Sequence, residues 1–344
     1  MNIQQKKQLL QKFWYNTISY QSLMEGLQTY EHKEIEGYIS YIKVGRRSYI
    51  VVGDPICSEE DMMQLIHAFR SEILLKKWRI LFISISQKVK VIFELMWFWI
   101  LEIGREALFD IQNFTTLWTE KRNMRNLLRR AEKEDLCIRR IETLRESDKI
   151  WIETLNSDWL TTRKTKGFSF LLKLSPFENL DDKILFVAEK DECIVGYISA
   201  VPIYGRKWFY FEDIIRSSTA PLGTNQLLLV SAIEFLKEQW YELASLGTSP
   251  LGNIDNTTDI QHKKAQTLLR LIYKRANGFY NFKGLYHFKK SMCPSFWDPK
   301  FIAFYPPRLR PKVFLAIAKA YNPRGITGIV ISRITKLVFP RNKK

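Results

Sequence analysis

Cysteine and histidine are scarce in this sequence, and neither follows a familiar spacing. The chain has 344 residues and only four of each. They are Cys57, Cys137, Cys193 and Cys293, and His32, His67, His262 and His287. Cysteines this far apart do not form a disulfide framework, so we expect a reduced, cytoplasmic environment. The histidines have no metal-ligand spacing, and no metal site is predicted.

Long hydrophobic runs are missing too. The most apolar stretch, residues 89–103, contains Lys90, Glu94 and Glu102, and it is too short and too charged to cross a bilayer. The first residues of the chain are polar before they are aromatic, unlike a signal peptide. The sequence therefore predicts neither a membrane-spanning helix nor a cleaved leader.

Acidic residues are absent from the last 46 residues, 299–344, which contain eleven lysines and arginines. About two thirds of the net charge of +17 lies there. Basic residues interleaved with apolar runs are typical of a segment that lies on an anionic bilayer. We therefore predict a membrane-surface tail. The alternative is a helix packed on the protein with its basic face in water.

The order of elements predicts two α/β halves before this tail. Hairpins are predicted within residues 37–52 and 184–201, and helices over 17–30 and 144–160. The expected fold class is α/β, with mixed sheets flanked by helices. We divide the chain into two domains and a tail, which are residues 1–143, 144–298 and 299–344.

Residues 208–215 have the aromatic and β-branched composition of a buried strand. They nevertheless contain two acids, Glu212 and Asp213, and Arg216 follows. Charge in a buried strand needs a partner or a chemical role. We consider these residues candidates for catalysis, and a structural Asp213–Arg216 ion pair is the alternative.

A loop and a helix come after this strand. Thr224 is predicted to cap a helix over residues 225–241. A short strand then leads into a turn of small residues, 246–252, which contains Gly247 and Ser249. A strand, helix and strand with acids and glycines at one end is a common arrangement for an α/β site, so Gly247 and Ser249 are substrate-binding candidates.

Residues 121–134 form the clearest amphipathic helix. Eight basic residues and three acids occur between Lys121 and Arg140. The basic side chains that share one stripe of the helix are Arg122, Arg125, Arg129 and Lys133. Such a face binds polyanions such as RNA, although a solvated helix surface is the simpler interpretation.

A second basic cluster comes near residue 285. Lys283, Lys289 and Lys290 alternate with aromatic residues, which suits the exposed end of an RNA. The alternative is that these aromatic residues are the inner face of a last strand. In the first half, Asp54 in Gly53-Asp54-Pro55 is a weak candidate, because a turn explains it.

Several short motifs occur in an order that resembles a known family, the C-terminal catalytic domain of phosphatidylglycerol lysyltransferases (the multiple peptide resistance factor family). The similarity covers roughly residues 37–305. The motifs are Gly53-Asp54-Pro55, Ile103-Gly104-Arg105-Glu106-Ala107, Met124-Arg125-Asn126, Phe211-Glu212-Asp213-Ile214-Ile215-Arg216, Leu246-Gly247-Thr248-Ser249-Pro250-Leu251, Asn281-Phe282-Lys283-Gly284-Leu285 and Phe288-Lys289-Lys290, followed by Pro294 and Trp297.

This resemblance implies tandem N-acetyltransferase-like (GNAT) domains. It also implies an enzyme that esterifies an amino acid, with lysine expected, from aminoacyl-tRNA onto phosphatidylglycerol. Aminoacyl-tRNA is then a co-substrate, no cofactor is expected, and the protein would sit on the inner face of the cell membrane. Asp213 and Arg216 match the acidic and basic pair of the family's active site. The multi-span flippase region of the large family members has no counterpart in this sequence.

Acyl transfer from an activated ester needs alignment of a hydroxyl, proton removal and oxyanion stabilisation. Asp213 is assigned to orient the donor amino group or the acceptor hydroxyl, or to act as base. Arg216 is assigned to a phosphate or to the oxyanion. Alternatives are transfer to another acceptor, an acyl-CoA N-acyltransferase, and a non-catalytic protein that binds RNA or lipid. The loop 220–224 has a single glycine, which argues against a pyrophosphate site for coenzyme A.

Overall fold

A twelve-stranded mixed sheet is the central element of the fold, which we describe from a computed structural model. The structure describes residues 1–13, 15–45, 47–75, 78–115, 121–162, 174–250, 282–307, 316–317 and 319–320. The strands are β1 (Gln28–Tyr30), β2 (Gly37–Val44), β3 (Ser48–Val52), β4 (Ile56–Cys57), β5 (Arg79–Ile85), β6 (Trp99–Asp110), β7 (Cys137–Arg140), β8 (Ile184–Lys190), β9 (Cys193–Ile203), β10 (Trp208–Arg216), β11 (Leu243–Pro250) and β12 (Phe296–Tyr305).

Helices cover both faces of this sheet. The described α-helices are α1 (Ile3–Phe13), α2 (Met62–Leu75), α3 (Gln87–Leu95), α4 (Arg122–Glu132), α5 (Glu146–Thr161), α6 (Thr224–Glu238) and α7 (Phe282–Ser291). Two 3₁₀ helices span Thr17–Leu23 and Leu180–Asp182. The helix predicted over 17–30 is thus a 3₁₀ helix followed by β1. The predicted hairpins and the helix near 144–160 are confirmed.

The two halves are tied together by an exchange of strands. The sheet order is β1-β2-β3-β5-β12-β6-β11-β10-β9-β8-β7, with β4 paired to β2. β6 of the first half pairs with β11 of the second half. In return, β12 follows the second half but pairs with β5 of the first. These two pairings join the strands of both halves into one continuous sheet.

This exchange corrects the predicted start of the tail. β12 crosses residue 299, so residues 299–305 are a central strand between β5 and β6. Of the rest of the predicted tail, Ala316 and Ala320 are buried against the sheet together with Leu81 and Ile302. Residues 308–315 and 321–344, which include most of the predicted membrane segment, lie outside the described residues.

Alternating side chains place apolar clusters on both faces of the sheet. Phe82 packs with the residues of α2 and α3, whereas its neighbours Leu81 and Ile83 pack on the opposite face. In the second half, Phe209 and Phe211 pack against α6 and α4. This period of two is what buried strands require.

Candidate active site

A β-bulge in β10 decides where its two acids lie. The register with β9 shifts between Phe211 and Asp213, so one extra residue, Glu212, enters the strand. A bulge of this kind re-aims the side chains that follow it. Phe211 packs in the cluster with α6, whereas Ile215 packs on the opposite face, in the cluster that contains Ile152 of α5. Asp213 therefore shares the α5 face with Ile215.

Both acids are held by polar groups from neighbouring elements. Lys183 Nζ lies 2.9 Å from Glu212 Oε2, and Gln21 of the 3₁₀ helix donates to Glu212 Oε1 at 3.4 Å. Ser199 of β9 donates to Asp213 Oδ2 at 3.4 Å. Burial and the nearby Glu212 charge raise the pKa of Asp213 to about 7, against the opposing charge of Lys183. Two carboxylates thus share one ammonium group.

Arg216 does not pair with Asp213. Its guanidinium donates to the carbonyl oxygen of Ala220 at 3.1 Å, in the loop between β10 and α6. Across the described residues, no ion pair joins Arg216 to an acid, so the predicted structural pair is wrong. The side chain is half-buried, which leaves part of it accessible to a ligand.

The start of α6 differs from the prediction. Gly223, with φ +101°, is the N-cap, and Thr224 is the first helical residue, its hydroxyl donating to Pro221 O at 2.7 Å. A Cβ on Gly223 would lie 2.1 Å from the carbonyl oxygen of Leu127 in α4. Only glycine permits this approach, so it fixes the start of α6 against α4.

β10 and β11 are paired over only three residues each. Trp208–Tyr210 pair with Leu243–Ser245, and beyond these the two strands are no longer paired. β11 nevertheless remains paired to β6 as far as Pro250. The predicted turn at 246–252 is therefore wrong for 246–250, which continue the strand around a bulge at Gly247 (φ +71°). The result is a gap between two parallel strands.

Lys289 reaches this part of β11 from α7. Its Nζ donates to the carbonyl oxygens of Gly247 at 3.0 Å and Thr248 at 2.7 Å. Burial lowers the pKa of Lys289 to about 7, with only partial compensation by the charge of Glu106. A neutral amine has two N–H groups, which these two carbonyls satisfy.

The predicted lysine cluster is divided by the structure. Lys283 and Lys290 are exposed on α7, whereas Lys289 is buried. The alternative of a last strand at these residues is wrong, because residues 282–291 are helical. Ser249 is fully buried, and within the described residues its hydroxyl has no hydrogen-bond partner.

A second polar cluster lies at the joint between the halves, and sequence reasoning missed most of it. Lys300 of β12 is 2.7 Å from Glu106 of β6, and Ser245 of β11 donates to the same carboxylate. Burial opposes the charge of both groups, yet their mutual attraction raises the pKa of Lys300 and lowers that of Glu106. Glu106 could have been noticed in the sequence, because an acid within the apolar stretch 99–110 needs a partner or a chemical role, as Glu212 does in β10.

The sheet bends at this joint. Ser84 Oγ and Thr248 Oγ1 lie 3.2 Å apart, although β12 and β6 separate their strands. Neighbouring strands are about 4.8 Å apart, so a flat sheet cannot bring them together. Asp54 is buried nearby and accepts a bond from the Ser86 backbone N–H at 2.9 Å. Burial raises the pKa of Asp54.

The basic helix is α4, and it has the predicted faces. Met124, Leu128 and Ala131 are buried, and α4 packs against α6. The predicted anion-binding side chains point away from this contact: Arg122, Arg129 and Lys133 are exposed and Arg125 is half-buried. Anion binding by this face stays a prediction.

The described residues contain neither a membrane-spanning helix nor a cluster of metal ligands. None of the helices there is long and apolar enough to cross a membrane. In the same part of the chain, no group of three His, Cys, Asp or Glu side chains is placed to hold a metal ion.

Comparison with known proteins identifies the family of this chain. Residues 7–304 match the family described as phosphatidylglycerol lysyltransferase, C-terminal. The chain belongs to this family. Phosphatidylglycerol lysyltransferase of Bacillus subtilis (strain 168) is 23% identical over 291 residues, which are 84% of this chain and 33% of that protein. The enzyme of Staphylococcus xylosus is 20% identical over 310 residues, 88% of this chain and 36% of that protein. The chain spans about a third of the length of these relatives.

Solved structures share the fold of this lysyltransferase family domain. The C-terminal domain of a protein named as a lysylphosphatidylglycerol synthetase from Agrobacterium fabrum has a TM-score of 0.76, with 20% identity, covering 95% of this chain and 98% of that one. L-PGS of Bacillus licheniformis has a TM-score of 0.75, with 21% identity, covering 92% and 94%. FemX has a TM-score of 0.54 at 10% identity, covering 92% and 98%. The GNAT-like fold class is confirmed.

Proposed function

We propose that this protein transfers an amino acid, lysine in the first instance, from aminoacyl-tRNA to a hydroxyl of phosphatidylglycerol. Membership in the lysyltransferase family supports the reaction class. The observation that carries the proposal is the pair of adjacent acids beside the gap between β10 and β11, the buried Asp213 and the half-buried Glu212. Such a pair is suited to a cationic donor.

The charge balance of this pair supports lysine as the proposed donor. With both carboxylates ionised, Lys183 neutralises only one of them. A substrate ammonium group supplies the second positive charge and favours the ionised form of Asp213. Asp213 then orients the amino acid, while Glu212 stays bound to Lys183 and Gln21.

Lys289 is the proton acceptor in this proposal. As the phosphatidylglycerol hydroxyl attacks the ester carbonyl carbon, its proton moves to the neutral amine of Lys289. The bond to the ribose oxygen breaks, and Lys289 returns the proton to that oxygen. A base with a pKa near the working pH is efficient in both directions. The partly accessible Arg216 would hold the phosphate or the developing oxyanion.

Surfaces outside the site would recruit the substrates. The exposed basic stripe of α4 is the proposed contact for the tRNA backbone. The basic segment beyond residue 320 would hold the protein on the anionic inner face of the cell membrane. Replacing both Arg122 and Arg129 by glutamine should weaken tRNA binding and reduce the salt dependence of that binding. As a control, replacing both Lys33 and Lys237 by glutamine should change neither quantity, because these two lysines are exposed elsewhere on the surface.

Lipid analysis tests the proposed reaction. The full chain is expressed in a bacterium that makes phosphatidylglycerol but no aminoacylated lipid, and the lipids are analysed by mass spectrometry. We expect phosphatidylglycerol heavier by one lysyl residue, and none with Asp213→Asn. A folded, membrane-bound protein that yields no new lipid contradicts the proposal and favours another acceptor or a binding role.

A further inference from the structure

A groove of about 580 Å³ opens between the two halves, away from the β10–β11 gap. Its walls come from distant parts of the chain: Tyr15 before the 3₁₀ helix, Gln87 and Lys88 at the start of α3, Arg206 in the β9–β10 turn, and Phe296 at the start of β12. Its volume is typical of small-molecule sites.

Arg206 is the most unusual group in this groove. Its guanidinium carbon lies 3.2 Å from the ring centre of Tyr15 and 3.9 Å from that of Trp208. Burial lowers the pKa of Arg206 to about 10, and the charge of Asp298 offsets this only in part. Its guanidinium makes no hydrogen bond or ion pair with the described residues. A stacked guanidinium keeps its N–H edge available for an oxyanion.

The other charges in the groove are of both signs. Lys207 is exposed beside Arg206. Lys88 lies 4.4 Å from the Tyr15 ring and pairs with Glu59. Glu242 and Asp298 also line the groove, and Asp298 is 3.6 Å from Lys300 on the floor. Two carboxylates repel a polyanion, but they accept hydrogen bonds from hydroxyl groups.

We propose that this groove is a second binding site for a glycerophosphate headgroup, separate from the reacting site at the β10–β11 gap. Arg206 and Lys207 bind the phosphate, while Asp298 and Glu242 accept bonds from the glycerol hydroxyls. The proposal rests on the proposed function, because this chemistry is that of the phosphatidylglycerol headgroup. RNA is the less suitable ligand, since the carboxylates oppose its backbone and Arg206 already covers faces of Tyr15 and Trp208 that bases would stack on.

The groove also borders the buried network of the joint. Lys300 on its floor holds Glu106, and Glu106 binds Ser245. Ser245 is paired in register with Tyr210, two residues after Trp208. A headgroup here is therefore linked through packed residues to the strands that flank the gap.

Calorimetric titration of the full chain with soluble glycerophosphoglycerol tests the site without turnover. We expect the Arg206→Gln variant to bind about tenfold more weakly or worse, as loss of a charge-assisted pair implies. Arg206→Lys should be intermediate, because it keeps the charge but not the fork. Lys237→Gln, an exposed cation on α6, should bind as the unchanged protein does.

Unchanged affinity in Arg206→Gln, or no binding to the unchanged protein, overturns the site. If the Arg206→Gln variant has a lowered melting temperature, the variant Lys207→Glu is tested instead, because Lys207 is exposed. A headgroup affinity equal to that of the unchanged protein would then overturn the site as well. Displacement of the headgroup by a short CCA-ended RNA in an Arg206-dependent manner also overturns it in favour of RNA. Headgroup binding without lipid modification would contradict the proposed function alone.

Discussion

At the scale of single residues, burial moves the pKa values of two side chains to about 7 from opposite directions. Burial favours the neutral form of each: it raises the pKa of the Asp213 carboxyl and lowers that of the Lys289 ammonium. Within the described part of the chain, neither is fixed in the charged form by a direct ion pair of the kind that joins Lys300 to Glu106. Groups of this type are frequent in active sites.

Asp213→Asn should separate activity from stability. The native carboxyl has a pKa of about 7 against an ordinary 3.8, so between these values the native state binds more protons and stability falls as pH rises. Above pH 7 the variant should be more stable by roughly 1 kcal/mol or more, while transfer falls about 100-fold or more. Thermal melts at pH 5 and 8 and a transfer assay measure both effects.

The exposed Asp181→Asn is the matched control and should change neither quantity. A stability gain for Asp213→Asn that is equal at both pH values would show that Asp213 has an ordinary pKa. Near-normal transfer would remove Asp213 from the mechanism.

Lys289 and Lys300 should titrate far apart. NMR of ¹³Cε-labelled lysine, assigned with Lys289→Arg and Lys300→Arg, should place the Lys289 transition near pH 7. Lys300 should remain charged above its ordinary pKa of 10.5, since Glu106 outweighs the cost of burial. Because the unfolded chain keeps a Lys289 pKa near 10.5, this residue makes stability rise with pH from 7 to 10.5. Two coincident transitions above pH 10 would exclude Lys289 as the base.

At the scale of elements, strand irregularities and helix starts place the site. Bulges at Glu212 in β10 and Gly247 in β11 lie on either side of the gap, and Gly223 sets α6 close to α4. α7 places Lys289 against β11, and the 3₁₀ helix Thr17–Leu23 places Gln21 against Glu212. Each contact depends on the exact approach of two elements.

Gly223→Ala tests the contact between α4 and α6. The added methyl would meet the Leu127 carbonyl at 2.1 Å and force a φ of +101° on alanine. Gly45→Ala is the matched control, with φ +61° and nothing within 4 Å. Strain alone should cost about 1 kcal/mol in the control, and Gly223→Ala should cost at least roughly 2 kcal/mol more. Urea denaturation measures both, and equal losses would mean that α4 moves aside freely.

At the scale of the whole molecule, the exchange of β6 and β12 makes the two halves one sheet. Glu106, Lys300, Ser84 and Thr248 meet at this joint, and the groove with Arg206 opens beside it. The two-domain division at residue 143 stays a prediction, because β7 before it pairs with β8 after it and the sheet continues across this position.

Removal of residues 321–344 should separate membrane association from folding. The segment has six basic and no acidic residues, so its loss should abolish binding to vesicles rich in phosphatidylglycerol and leave the melting temperature within a few degrees. Co-sedimentation with anionic and neutral vesicles measures this. A full-length protein that binds both kinds of vesicle equally would contradict an electrostatic anchor.

Much of the secondary structure could be predicted, because its causes are local. The apolar, β-branched and aromatic runs of β2, β3, β8 and β9 and the helical stripe of α4 are visible in the sequence. The acids of β10 stood out because a buried strand rarely contains charge. The family itself could be recognised from short motifs in order, and the comparisons confirm it.

Tertiary structure alone decided which of these residues work together. Lys289 is buried against β11 while Lys283 and Lys290 face water, and this depends on how α7 docks, not on spacing. Glu106 and Lys300, 194 residues apart in sequence, pair because β6 and β12 are adjacent strands. Arg206 likewise contacts Tyr15 from a distant part of the chain. Sequence determined the elements and the charges because these follow from local composition. The pKa values, the gap and the groove followed only from packing, since burial and distance are properties of the folded chain.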